Sequence, residues 1–191
     1  MKIGLFFGTF NPIHVGHMVI AGYMAEFTDL DQVWFVVSPQ NPLKQNQTML
    51  ADYHRLAITR IAAEGNRKFK VSNVEFSLPK PSYTIDTLTH LCEKHPEHEF
   101  VLIIGTDNLE IFSEWKEHER ILEKYLLYVY PRHGSNAGIF ASHEHVKMTD
   151  APLMEISSTF IRDAIKNKKD VRYMLSESVY KYIAEMHFYE K

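Results

Sequence analysis

His14 and His17 flank Gly16, and their types and spacing imply chemistry more directly than any other residues of the chain. They end the run Gly8-Thr-Phe-Asn-Pro-Ile-His-Val-Gly-His17, which directly follows the apolar stretch Ile3 to Phe7. Such a stretch reads as a short buried strand feeding a tight turn and then a helix. The start of that helix presents unpaired N–H groups and the positive end of a helix dipole. That combination suits phosphate. Two imidazoles on one helical face add donors for the same phosphate chain. Gly8 lets the backbone approach a ligand closely, and Gly16 leaves room beside the histidines. The competing reading is a plain turn whose histidines happen to start a helix. The run lacks the Gly-x-Gly-x-x-Gly fingerprint, and no Gly-Lys-Ser/Thr of a Walker loop follows it.

A second run, Ile156-Ser-Ser-Thr-Phe-Ile-Arg162, follows the polar-to-apolar turn at 150–155. Ser157 or Ser158 can cap the next helix, whose N–H groups again face outward. Arg162, one turn in, can fork onto phosphate oxygens. Taken alone, this run reads as an ordinary N-cap with a surface arginine.

The elements that must position these residues alternate along the chain. Strand-like runs fall at Ile3–Phe7, Val33–Ser38, Phe69–Val74, Phe100–Ile104 and Leu126–Tyr130, with a short sixth at Val146–Met148. Helical patterns lie between them at about 15–27, 51–63 and 84–95, and close the chain at 158–166 and 176–186. Short apolar strands separated by helices predict an α/β fold with a doubly wound, mostly parallel sheet and a small C-terminal helical segment. In such sheets ligands bind beyond the carboxyl ends of the strands, at the switch point. The loops 8–14, 39–50, 105–117 and 131–136 all open on that edge.

The chain has 191 residues and a net charge of −3. That length suits one domain spanning 1–191, with its helical part from about 157. The charge balance argues against nucleic acid as a partner. No apolar run approaches ~20 residues, no leader-like stretch opens the chain, and a cytoplasmic location with no membrane partner is expected. The lone Cys92 excludes an internal disulfide and reads as a structural thiol. His143 and His145 lack a third ligand at sensible spacing and read as a solvated face, so no protein-held metal is expected. The tyrosines 180, 182 and 189 read as residues of the last helix packing on the sheet or on a second subunit, which leaves a homo-oligomer open.

A turn ending His-x-Gly-His resembles the nucleotidyltransferase superfamily. More specifically, the chain from Lys2 to about Tyr189 resembles bacterial nicotinate-nucleotide adenylyltransferases. Besides the two phosphate runs, Ser38-Pro-Gln-Asn-Pro-Leu-Lys44, Pro81-Ser-Tyr-Thr-Ile-Asp-Thr-Leu88 and Ile104-Gly-Thr-Asp-Asn-Leu109, followed by Phe112 and Trp115-Lys116, carry the resemblance. The sequence departs from the family pattern at Phe7 and Asn11, where Gly and Asp are usual, and at Leu43, where His is usual.

The resemblance implies a Rossmann-like nucleotidyltransferase fold and adenylyl transfer from ATP to nicotinate mononucleotide, a step of NAD biosynthesis. Mg²⁺ would arrive with ATP. His14, His17, Lys44 and Arg162 would carry catalysis. ATP would contact Gly8, Thr9, Phe10, Gly16, Gly105, Asp107, Ile156, Ser157, Ser158 and Thr159. The acceptor would contact Asn41, Tyr83, Thr84, Trp115 and Arg132. Trp115 would stack the pyridine as an exposed flat ring, or else pack in the core. The N–H groups of Tyr83 and Thr84 would receive the nicotinate carboxylate, with an N-cap at Thr84 as the plainer reading. Asp107 and Asn41 would hold ribose hydroxyls, or else serve as an N-cap and a turn residue. Arg132 would hold the mononucleotide phosphate, or be a solvated loop residue. No acceptor for the amide NH₂ of nicotinamide is evident, which predicts at least ~10-fold preference for nicotinate. The alternatives are an adenylyltransferase for nicotinamide mononucleotide or phosphopantetheine, and a catalytically silent nucleotide-binding sensor.

Overall fold

A computed structural model describes residues 1–39, 49–136 and 138–191. Six strands form one sheet: β1 (Lys2–Gly8), β2 (Gln32–Val37), β3 (Phe69–Ser72), β4 (Glu99–Gly105), β5 (Leu126–Tyr130) and β6 (Val146–Met148). Their order is β3-β2-β1-β4-β5-β6, and every neighbouring pair is parallel. The sheet is therefore doubly wound, with its switch point between β1 and β4. Helices α1 (Val15–Phe27), α2 (Asp52–Ala63), α3 (Thr84–Lys94), α4 (Thr106–Glu110), α5 (His118–Lys124), α6 (Ser158–Lys166) and α7 (Glu177–Glu185) connect and cover it.

Strand residues alternate between two cores because successive side chains point to opposite faces. Phe6, Val33, Phe35, Val37, Val101 and Ile103 share one core with Ile20 and Met24 of α1, Ile161 of α6 and Ile183 of α7. Ile3, Leu5, Trp34, Val36, Leu102 and Ile104 share the other with Leu88 of α3 and Ile121 of α5. Both faces being covered explains why β4 reads as an uninterrupted apolar run. On α1 the buried residues Gly16, Ile20, Ala21, Met24 and Ala25 recur on one helical face.

Three elements differ from the sequence-based expectation. The third strand stops at Ser72, whose hydroxyl accepts from the Val74 amide at 3.3 Å. The chain then coils into a 3₁₀ turn at Val74–Ser77, which turns Glu75 inward to 2% exposure. The segment after β4 is not an open loop. It holds α4 and a 3₁₀ turn at Phe112–Glu114, because Leu109 and Phe112 are fully buried beneath it. The last helix runs from Glu177 to Glu185, so Tyr189 lies beyond it.

Helix α2 carries a fully buried arginine. The Arg55 guanidinium donates to the carbonyls of Thr9 (2.5 Å), Ser38 (2.7 Å), Pro39 (3.0 Å) and Leu50 (3.1 Å), and to the Asp52 carboxylate (2.6 Å). Every guanidinium N–H is thereby used. The turn after β1, the end of β2 and the start of α2 are tied at one point. Replacing Arg55 with methionine would leave four carbonyls unpaired. The expected loss is about 2–5 kcal/mol of stability, read as a lower urea midpoint at unchanged slope. An unchanged midpoint would show that the turn holds itself.

Candidate active site

The turn after β1 is built from the inside. Phe10 takes a left-handed backbone, φ +43°, and its ring is 2% exposed. The ring meets Phe6, Phe35 and His17 edge-on. A side chain at Gly8 would sit 2.8 Å from that ring. The ring of Phe10 thus fills the space that a Gly8 side chain would need, and Gly8 itself lines the cavity at the switch point.

His14 caps α1, and its amide donates to His17 Nδ1 at 3.3 Å. That bond places the proton of a neutral His17 ring on Nε2. The two rings lie 3.8 Å apart, so the sequence spacing does bring them together on one face. A Cβ at Gly16 would press on His14 Nδ1 at 3.0 Å, so Gly16 gives His14 its room. His14 is 4% exposed. Burial, and then the charge of Arg132, lower its pKa to about 4. It is therefore a neutral, single-proton donor at pH 7. Its Nδ1 is buried without a hydrogen-bond partner among the described residues.

Helix α6 docks on the same turn. Ser157 caps it by accepting from the Phe160 amide at 3.1 Å, which settles which serine is the cap. Ser158 donates to the Pro12 carbonyl at 2.8 Å. Arg162 donates to the Asn11 carbonyl (2.8 Å) and to the Thr159 hydroxyl (3.2 Å). From beyond α7, the Tyr189 hydroxyl donates to Asn11 Oδ1 at 2.9 Å, so this tyrosine closes the turn while its ring, like Tyr180 and Tyr182, packs against the core. Ile156, just ahead of the cap, packs against the core on the α1 side.

A cavity of about 170 Å³ opens at the switch point, lined by Gly8 and Thr9 after β1, Ser38 after β2, Gly105 after β4, and Glu75, Tyr83, Thr84, Asn108, Trp115 and Lys116. Trp115 is half-buried, not exposed, because Phe112 packs 5.2 Å from it. It nevertheless lines the cavity, so it is both core and wall. Tyr83, not Thr84, is the N-cap of α3, and no side chain caps it. The helix start therefore keeps N–H groups for the cavity. Lys116 Nζ lies 4.7 Å from the Tyr83 ring and 3.0 Å from Asp86.

Glu75 is the wall residue that sequence reasoning missed. It accepts from Ser82 (3.1 Å) and Thr87 (2.8 Å). Burial pushes its carboxyl above the usual range, against hydroxyl contacts from Ser38, Thr87 and Ser82 that favour the charge. It corrects the expectation that this pocket offers no hydrogen-bond acceptor. The one available signal was a carboxylate between the apolar Val74 and Phe76 just ahead of the Ser-Tyr-Thr run.

Arg132 leaves β5 with its amide bonded to Thr106 Oγ1 (2.9 Å) and its side chain 3.8 Å from Asp107. Asp107 sits in the first turn of α4 and is not its N-cap, which is Gly105. A side chain at Gly105 would collide with both Asp107 and Arg132. Asn41, Leu43 and Lys44 lie outside the described residues. His145 is not a solvated residue: it is half-buried and its Nδ1 bonds the Leu122 carbonyl. Cys92 is half-buried and its thiol donates to the Tyr125 hydroxyl at 3.7 Å. At the other end of the sheet, His95, Glu97 and His98 bring ligand atoms within 4.8 Å, and both rings pack edge-on against Trp34. No described helix is long and apolar enough to cross a membrane.

Residues 5–164 match the family model described as cytidylyltransferase-like. A chain of Cytophaga hutchinsonii bearing the name "Probable nicotinate-nucleotide adenylyltransferase" is 54% identical, over 99% of this chain and 98% of its own. The chain belongs to the nicotinate-nucleotide adenylyltransferase family. A family member of Flavobacterium psychrophilum with the same name is 52% identical over the whole of both chains. The solved Plasmodium falciparum nicotinic acid mononucleotide adenylyltransferase, complexed with NaAD, superposes with a TM-score of 0.83 at 19% identity. It covers 99% of this chain and 97% of its own, and confirms the fold. Of the departures from the family pattern, Phe7 lines the cavity and packs on the α3–α5 core. Asn11 Oδ1 accepts from the Leu50 amide at 3.3 Å as well as from Tyr189.

The buried His14 of this family member makes a pH prediction. Its folded pKa lies below its unfolded value, so the unfolded chain binds the extra proton. Stability is full above about pH 6.5 and falls toward pH 4, by up to about 1.4 kcal/mol per pH unit for this group. Urea titrations of wild type and His14→Asn should diverge across that window. Parallel curves would assign the acid sensitivity elsewhere.

Proposed function

We propose that this chain transfers the adenylyl group of ATP to nicotinate mononucleotide, giving deamido-NAD and pyrophosphate in NAD biosynthesis, and that residues 1–191 act as one nucleotidyltransferase domain. The observation that carries this reading is the shared edge: the histidine turn and α6 on one side of the switch point, and the cavity of Tyr83, Thr84 and Trp115 on the other. A phosphate chain at the turn and a pyridine in the cavity would meet end to end.

No covalent nucleophile is required. The 5′-phosphate of the mononucleotide is largely ionised at neutral pH, its second pKa being near 6. It attacks the α-phosphorus in line, the bond to the bridging oxygen breaks, and pyrophosphate leaves with the electron pair. Catalysis then rests on alignment and on neutralising charge. His14 and His17 donate one N–H each. Arg162 supplies charge from α6, and its two protein contacts hold it at the turn. Lys44 is assigned a second charge from its sequence context. Among the described residues the turn 9–14 carries no carboxylate. That chemistry suits a divalent metal riding on ATP, read here as Mg²⁺, and held by phosphate oxygens and water.

Arg132 is assigned the acceptor's phosphate, with Asp107 on a ribose hydroxyl. Trp115 stacks the pyridine, and the helix start at Tyr83 and Thr84 faces its carboxylate.

Pyrophosphate release with ATP and each of nicotinate mononucleotide, nicotinamide mononucleotide and phosphopantetheine tests the reading. Turnover should be greatest with the first. His17→Ala should lower kcat by ~10²–10³ with the fold intact. A value within about threefold of wild type, well inside that range, would remove His17 from the mechanism. Arg162→Ala should weaken ATP binding and slow turnover more than Arg172→Ala, whose side chain is 57% exposed in a surface 3₁₀ turn. Equal losses would show that the α6 arginine has no part in phosphate binding. Trp115→Ala should raise KM for both pyridine mononucleotides by similar factors.

A further inference from the structure

Glu75 stands out because nothing in the transfer chemistry needs it. It is 2% exposed, it lines the acceptor cavity, and its two oxygens take the hydroxyls of Ser82 and Thr87. Those two residues bracket Tyr83 and Thr84, the helix start that faces the cavity. A buried carboxylate therefore sits against the place where a second carboxylate is read to bind.

Two ionised carboxylates in one desolvated site disfavour each other, and the usual resolution is one bound proton. A neutral amide in the same place reverses the preference, because its NH₂ needs an acceptor and an ionised glutamate is one. We propose that Glu75 is the residue that reads the acceptor's charge: it takes a proton from solvent as nicotinate mononucleotide enters, and stays ionised for nicotinamide mononucleotide. The inference rests on the adenylyl-transfer reading and adds to it a rule for selectivity. Protonated Glu75 donates a hydrogen bond where the ionised form would repel. Burial already favours the protonated form.

Among the described residues, the other charged or titratable groups around the cavity are Glu114, Lys116 with its partner Asp86, and the phenols of Tyr83 and Tyr130. Asp86 holds the Lys116 ammonium above its usual range, and burial raises the Tyr130 phenol to about 12. Arg55 lies behind, bonded to the carbonyl of Ser38.

The sign follows from the two protonation states. Low pH favours protonated Glu75 and nicotinate; high pH favours ionised Glu75 and nicotinamide. The ratio of kcat/KM for the two mononucleotides cancels the titrations they share, namely their own phosphates, ATP and the histidines. That ratio should fall as pH rises, by up to tenfold per pH unit where Glu75 titrates, within a scan from about pH 5 to about pH 9. In Glu75→Gln the ratio should become flat, which separates Glu75 from Glu114. Calorimetry in two buffers of different ionisation enthalpy gives a second measurement on wild-type protein alone. Nicotinate mononucleotide should take up more protons than nicotinamide mononucleotide, by up to about one per site. Turnover with a ratio independent of pH, or equal proton uptake for the two ligands, overturns the proposal. A pH-dependent ratio that survives in Glu75→Gln also overturns it. No turnover with either acceptor overturns the adenylyl-transfer reading, and the proposal with it.

Discussion

A guanidinium with no solvent exposure is tolerable only when all of its N–H groups are paired. Arg55 meets that condition by gathering three parts of the chain: the turn after β1, the end of β2 and the first turn of α2. The carbonyls it holds belong to residues that both sides of the site share. Thr9 continues into the histidine turn. Ser38 also presents its hydroxyl to Glu75 and lines the cavity at the switch point. The arginine does not itself line the cavity, yet it bonds the Thr9 and Ser38 carbonyls of two lining residues, so the spacing between the histidine turn and the cavity passes through it. The cost of burying its charge falls on a place where geometry matters more than net stability.

The electrostatics of the turn follow from a related economy. A pair of charged imidazoles 3.8 Å apart would repel. Burial and Arg132 keep His14 neutral, so the pair presents directed N–H groups without mutual repulsion. Positive potential comes instead from the side chain of Arg162 and from helix starts at α1 and α6, whose N–H groups are fixed before any ligand arrives.

Much of this was legible in the sequence because it was local. The apolar runs at 3–7 and 100–104 are too continuous for a half-exposed strand, and they mark a sheet covered on both faces. The His-x-Gly-His spacing sets two rings on one helical face whatever the rest of the chain does. Arg55 was illegible for the opposite reason. On a helix with Asp52 and Arg60 it reads as one more solvated charge, and only the tertiary arrangement of three distant carbonyls, those of Thr9, Ser38 and Pro39, makes it internal. Glu75 failed similarly. The strand pattern at 69–74 masks the stop at Ser72, and it is in the 3₁₀ turn that follows that the glutamate is buried. Trp115 was half legible. The sequence placed it after β4, but its burial depends on Phe112, which enters the core only because the segment is helical.

The partners of the histidine turn come from far along the chain. Ser158 meets Pro12 across 146 positions, Arg162 meets Asn11 across 151, and Tyr189 meets Asn11 across 178. Chains are synthesised from the N-terminal end, and contacts between distant positions form late because loop closure must precede them. The first strand, turn and helix thus leave the ribosome before any of these partners exists. During that interval the turn has neither its arginine nor its closing tyrosine. The histidine motif is the first part of this edge to be made and the last to be completed, so a nascent chain lacks a finished histidine turn until α6 and the segment beyond α7 have docked.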